Sequence, residues 1–192
     1  MRNWTRARDL GLGAAGGLFL AALLGLTLRG EAALTAGGGA DAVETGGFEF
    51  SLERTVPGTP EETFDALTGD ISGWWDHSFS GDPLRLYIEP RPGGGFYEVF
   101  DESGDGVRHA VVTAARRGSL LRFEGPLGMA GHALFMVATY ELTPVGDAGA
   151  STHLKVSVRA AGELQEGWAE AVEGVWHHFI DERFDAAEFS TR

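Results

Sequence analysis

The chain has 192 residues, with 15 Lys and Arg against 28 Asp and Glu, and a formal net charge of −13. That balance excludes a general nucleic-acid binder, which needs a basic face to displace phosphate counterions, and the lack of cysteine excludes disulfides, thiolate metal sites, a cysteine nucleophile and a lipidated N-terminal cysteine. With 43% hydrophobic and 10% aromatic residues beside 29 Gly and 7 Pro, it can bury a core and is not low-complexity sequence.

The first thirty residues stand apart. Leu10 to Leu28 is an uncharged run of 19 residues, preceded by Arg2, Arg6 and Arg8 and followed by Arg29. A basic start followed by an apolar run is the pattern of an export signal. As a helix the run is about 28 Å long, near the roughly 30 Å hydrocarbon core, so it also suits a membrane anchor. The arginine cluster favours an N-terminus held in the cytoplasm. Gly30 and Ala32 put small residues at −3 and −1 of a cleavage site after Ala32. The expectation is a signal peptide or N-terminal anchor over residues 1–32, with the rest exported, periplasmic or extracellular, or tethered outside the cytoplasmic membrane. Residues 33–47, rich in Gly, Ala and Thr without periodicity, read as a flexible linker.

Residues 48–190 read as one α+β domain. Phe48 to Val56 alternates apolar and polar, as in a half-buried strand. Thr59-Pro60-Glu61-Glu62 is a helix start, with a capping hydroxyl, Pro in the first turn and acids at the positive dipole end. Phe64, Ala66 and Leu67 supply its inner face. A second short helical piece is expected over Ile71-Ser-Gly-Trp-Trp75. Strands follow at 84–89, 95–101, 107–115, 120–123, 133–142 and 152–160, separated by Gly- and Pro-rich turns. In the last, Thr152, Leu154, Val156 and Val158 alternate with His153, Lys155, Ser157 and Arg159, so one face is buried. From about Leu164 to Ala187, Trp168, Val172, Val175, Trp176, Phe179, Ile180 and Phe184 recur at helical spacing and define a long amphipathic helix. The order predicts an antiparallel sheet of six or seven strands with helices on one face, curved around the long helix.

Five pieces of this sequence occur in the order found in one superfamily. They are the opening strand with Val56-Pro-Gly-Thr-Pro-Glu-Glu-Thr-Phe-Asp-Ala-Leu67, the Ile71–Trp75 turn, Glu89-Pro-Arg-Pro-Gly-Gly-Gly-Phe96, Thr139-Tyr-Glu-Leu-Thr-Pro144, and Glu166-Gly-Trp168. Over roughly residues 48–188 the chain resembles the SRPBCC superfamily, the START and Bet v type helix-grip domains. Within it the chain looks most like the branch named for the activator of heat-shock-protein-90 ATPase. Members of that branch are usually cytosolic, whereas this chain begins with an export or anchor segment. The resemblance implies a helix-grip fold with a cavity between sheet and long helix. The superfamily includes lipid carriers, cyclases and co-chaperone modules, so it specifies fold more than function.

The residues able to line such a cavity are Trp74, Trp75, Phe79, Phe96, Phe100, Phe123, Met136, Trp168, Trp176 and Phe179. Two adjacent tryptophans cannot point into one core direction, so one of Trp74 and Trp75 is expected at the rim. Acid–base candidates are Asp76 and His77 beside the tryptophans, His109 in mid-strand, and Glu98, which shares a strand face with Phe96 and Phe100. If that face lines the cavity, burial should raise the Glu98 pKa and suit it to proton transfer. His153 falls on a wet face. His177 and His178 project about 100° apart and make a poor ligand pair, while His177 and Asp181 have the spacing of a surface ion pair. No metal site or cofactor is expected, and no nucleophile elbow, HExxH helix or phosphate loop is present. Three readings follow. The favoured one is a non-enzymatic module holding a hydrophobic small molecule or lipid; the others are a cyclase- or hydrolase-like enzyme and a protein-interaction module.

Overall fold

The computed structural model describes residues 42–146 and 149–184. The expected signal or anchor segment, the linker up to residue 41 and the helix beyond residue 184 lie outside them. Strand β1 spans Thr45–Pro57, so it begins within the stretch read as linker. Thr45, Gly46 and Gly47 pair with Glu163, Gly162 and Ala161. Phe48, Phe50, Leu52 and Val56 turn to the core as the alternation requires.

Helix α1 spans Pro60–Ala66 and starts as its sequence predicts. The Glu62 N–H donates to Thr59 Oγ1 at 3.3 Å, and the Thr59 N–H donates to Glu62 Oε2 at 2.8 Å. This capping box satisfies two donors that the first turn would otherwise leave open. Thr59→Ala should lower stability by about 1 kcal/mol, read as an earlier urea midpoint with an unchanged slope.

The expected second helix is a single hydrogen-bonded turn, in which the Trp74 and Trp75 N–H groups both donate to Ile71 O. The backbone just before it is committed elsewhere. Strand β2, Gly69–Asp70, pairs with β3, Arg85–Ile88, and the Ile71 N–H donates to Leu86 O. The remaining strands are β4 (Gly95–Val99), β5 (Gly106–Arg116), β6 (Leu120–Gly125), β7 (Leu134–Val145) and β8 (Ser151–Glu163). All pairings are antiparallel and the order is β1-β8-β7-β6-β5-β4-β3-β2. The sheet thus has eight strands rather than six or seven, the additional one being the two-residue β2.

Register shifts where β5 meets β4 and again where it meets β6, and such bulges bend and twist a sheet. On β8 the buried residues are Thr152, Leu154, Val156, Val158 and Ala160, the face the alternation predicts.

The C-terminal helix is shorter at its start than its sequence suggests. Helix α2 spans Trp168–His177 and continues as a π-helical turn over His178–Arg183. Residues 164–167 are not helical, because β8 carries the chain to Glu163 and Gly167 sits at φ +82°, a left-handed conformation that blocks an earlier start. Trp176, Phe179, Ile180 and Phe184 are buried on the inner side. Arg54, on the inward face of β1, donates to Ile180 O at 3.0 Å and to Asp181 O. A cation at that end complements the helix dipole and satisfies late carbonyls. Among the described residues no helix is long and apolar enough to cross a membrane.

Candidate functional site

A cavity of about 300 Å³ lies between α2 and the inner face of the sheet. Phe96 of β4, His109 of β5 and Met136 of β7 form its sheet wall, and Val172, Val175, Trp176 and Phe179 form its helix wall. Trp75, His77 and Ser78 close one side, and the 3-10 turn Leu127–Met129 closes another. The lining is overwhelmingly apolar, the usual character of a small-molecule site.

His109 reaches this wall because of a bulge. Tyr97 pairs with Arg108 and Phe96 with Ala110, leaving His109 as the extra residue on β5. His109 and Ala110 are therefore both buried, although strict alternation would separate their faces. Gly125 on β6 makes room, since a Cβ there would lie 2.4 Å from the His109 carbonyl oxygen.

Glu98 is 1% exposed and His109 4% exposed. His109 Nε2 lies 2.8 Å from Glu98 Oε2, and His109 Nδ1 lies 3.1 Å from Leu127 O. Both ring nitrogens thus face acceptors, Glu98 Oε2 on one side and Leu127 O on the other. Glu98 also accepts the Phe79 N–H on Oε2 and the Ser80 N–H on Oε1, each at 2.7 Å. Burial raises the Glu98 pKa, but these backbone and Ser80 hydrogen bonds with that from His109 outweigh it and hold the group below its usual value. The raised value expected from burial alone is therefore corrected. The carboxylate is a clamp that fixes loop 78–80 to β4. Leu127, whose carbonyl His109 holds, has φ +51°, a conformation costly for a residue with a Cβ.

A second polar group sits at the His77 side of the cavity. His77 Nδ1 lies 3.0 Å from Asp76 Oδ1, and His178 Nε2 lies 3.1 and 3.0 Å from Asp76 Oδ1 and Oδ2. Arg183 Nε is 3.0 Å from Asp76 Oδ2. Burial raises the Asp76 pKa, but hydrogen bonds from His178 and His77 and the charges of His178 and Arg183 bring it below the usual value. Hydrogen bonds to Asp76 and Glu182 raise that of His178.

Of the ten residues expected to line the cavity, Trp75, Phe96, Met136, Trp176 and Phe179 do so. Trp74 is buried behind them, its Nε1–H donating to Ala66 O at 3.2 Å. Neither tryptophan sits at a rim: their rings diverge at 66° and both are buried. Phe123 is core, stacked under Trp176. Phe79 is 61% exposed and stacks on Phe100, away from the cavity. Trp168, at the start of α2, packs edge-on to His132. His177 pairs with Asp181 at 2.7 Å and His153 lies near Glu53 on the outer face, as their spacing predicts. Missed were the 127–129 turn and His178, because each joins the site only through a distant chain segment. Val172 and Val175, on the apolar stripe of the helix, also form wall.

Fold and site together define an α+β domain with a mainly apolar cavity between an antiparallel sheet and its C-terminal helix. No family profile and no curated protein matches the chain. Solved structures do. It is similar to a protein of unknown function from Staphylococcus aureus at 13% identity and a TM-score of 0.54, over 73% of this chain and 93% of that one. It is also similar to an uncharacterized protein from Rhizobium leguminosarum at 14% identity and a TM-score of 0.52, over 76% and 97% of the two chains. A protein from Mesorhizobium loti aligns at 21% identity and a TM-score of 0.51, over 72% and 95%. At these identities the likeness is one of fold.

Proposed function

We propose that the chain is a helix-grip domain of the SRPBCC type, exported or membrane-tethered through its first segment, that binds a hydrophobic small molecule without transforming it. The observation that carries this reading is an apolar cavity whose buried polar wall residue, His109, is already committed, together with the Glu98 carboxylate it contacts. Both Glu98 oxygens accept hydrogen bonds and both His109 nitrogens face acceptors, so neither residue has a free site for shuttling a substrate proton. An engineered cavity of roughly 150 Å³ holds benzene, so a volume near 300 Å³ suits a two-ring aromatic or a short acyl chain.

Filling the space from the helix tests this. Val175→Trp should abolish uptake of a fluorescent apolar probe, while the melting temperature stays within a few degrees of the parent. Native mass spectrometry of protein purified from its own host should show a bound mass that is lost on denaturation. No probe uptake by the parent, or equal uptake by Val175→Trp, would count against the cavity as the site. A protein-interaction role draws support from one observation: Phe79 and Leu84 are both more than half exposed beside Phe100, and an exposed apolar group of this kind marks contact surfaces.

A further inference from the structure

We propose that Asp76, His77 and His178 form a binding site for one divalent transition-metal ion, of the Zn²⁺ or Co²⁺ type, at the His77 side of the cavity. The three side chains offer ligand atoms that all lie within 4.8 Å of one another. His77 Nδ1 and His178 Nε2 stand 3.0 and 3.1 Å from the same oxygen, Asp76 Oδ1. Ligands bound at about 2.0–2.1 Å in a tetrahedral shell are roughly 3.4 Å apart, so each nitrogen already stands within a few tenths of an ångström of that separation from Asp76 Oδ1. The two nitrogens lie within 4.8 Å of one another, to be brought together by turning the exposed His77 side chain.

The surroundings orient each ligand. His178 Nδ1 lies 2.9 Å from Glu182 Oε2, which directs Nε2 toward Asp76 in the carboxylate–histidine arrangement that supports metal ligands. Arg183 pairs with Asp76 Oδ2, leaving Oδ1 as the ligand oxygen. The π turn makes this possible: with i→i+5 bonding, His178 and Arg183, five residues apart, both reach Asp76. The His77 ring rests edge-on against Phe179, with centroids 5.1 Å apart, which limits its rotation. Two imidazoles and one carboxylate favour Zn²⁺, Co²⁺ or Ni²⁺ over the oxygen-seeking Mg²⁺ and Ca²⁺. Three protein ligands leave a fourth position for water or another small donor. On binding, the ion takes the place of the protons that now join both histidines to Asp76. The site stands whether or not the cavity takes an apolar molecule, so the two readings fail separately.

The test is titration of the full untagged chain, in detergent, with Co²⁺ followed by visible absorption. One equivalent should produce the intense band of a four-coordinate ion. His77→Gln is the main variant, because that ring is half exposed and its loss should leave the fold intact by circular dichroism. It and His178→Gln should remove the band, and Glu182→Gln should weaken binding by about tenfold or more. His177→Gln, whose partner is Asp181, should leave the spectrum unchanged. In the parent but not in His77→Gln, Zn²⁺ should also raise the melting temperature. Absence of the band in the parent, or its persistence in both His77→Gln and His178→Gln, overturns the proposal.

Discussion

Glu98→Ala is expected to cost about 3–5 kcal/mol of folding stability, because it leaves three donors without their acceptor at about 1–3 kcal/mol each. The substitution strips the Phe79 and Ser80 N–H groups of their acceptor and leaves the His109 ring 4% exposed with Nε2 unpartnered. For a domain of this size the loss is a fall of roughly 10 °C or more in melting temperature. Glu98→Gln keeps the shape but turns an amide NH₂ toward groups that are themselves donors, and should cost about 2 kcal/mol. The parent has an acid signature of the same interaction. Because the folded Glu98 pKa lies below its usual 4.5, its contribution is full above that pH and is lost as pH falls through the depressed value. Stability of Glu98→Ala should therefore decline less steeply than that of the parent in acid. A variant melting within 3 °C of the parent at neutral pH would show that Glu98 does not clamp the loop.

Trp176→Ala should be of similar size, about 3–5 kcal/mol. Trp176 is 2% exposed, and its ring centroid lies 5.9 Å from those of Trp75 and Tyr140 and 6.5 Å from that of Phe123. Its ring is at once the floor of the cavity and part of the core beneath, so truncation both loses apolar burial and enlarges the chamber. The variant should be less stable to urea yet accept bulkier apolar probes than the parent. A loss of stability with an unchanged ligand size range would mean that the neighbouring rings collapse into the space. Val175, beside Trp176 on α2, separates these effects, since enlarging it fills the chamber without emptying the core.

Local rules account for much of the architecture. Alternation in 48–56 and 152–160 identifies the faces of β1 and β8, and Thr59-Pro60-Glu61-Glu62 marks the start of α1, because these depend on periods and caps within a few residues. The same rules misjudge the 71–75 turn and residues 164–167. In the first, Ile71 O accepts from the Trp74 and Trp75 N–H groups and a single turn forms, while β2 and the Ile71 N–H hold the backbone just before it to β3. In the second, β8 extends to Glu163 and Gly167 sits in the left-handed region.

Composition and local period establish an acidic, cysteine-free α+β chain with a capped first helix, alternating strands and an aromatic-rich terminal helix. The sequence also contains about a third of the cavity wall, since Trp75, Phe96, Met136, Trp176 and Phe179 follow from residue type and period. The roles of the polar residues come from contacts between distant parts of the chain. His109 faces inward because β5 bulges against β4 at that residue, which no count of alternating positions reveals. Glu98 is ionised rather than neutral because two N–H groups from residues 19 and 18 positions earlier converge on it. Asp76 meets His178 across 102 residues, and the π turn that follows brings Arg183 to the same carboxylate, which periodicity at 3.6 residues does not anticipate. Charge state depends on which donors and acceptors surround a group, and contacts distant in sequence supply most of them.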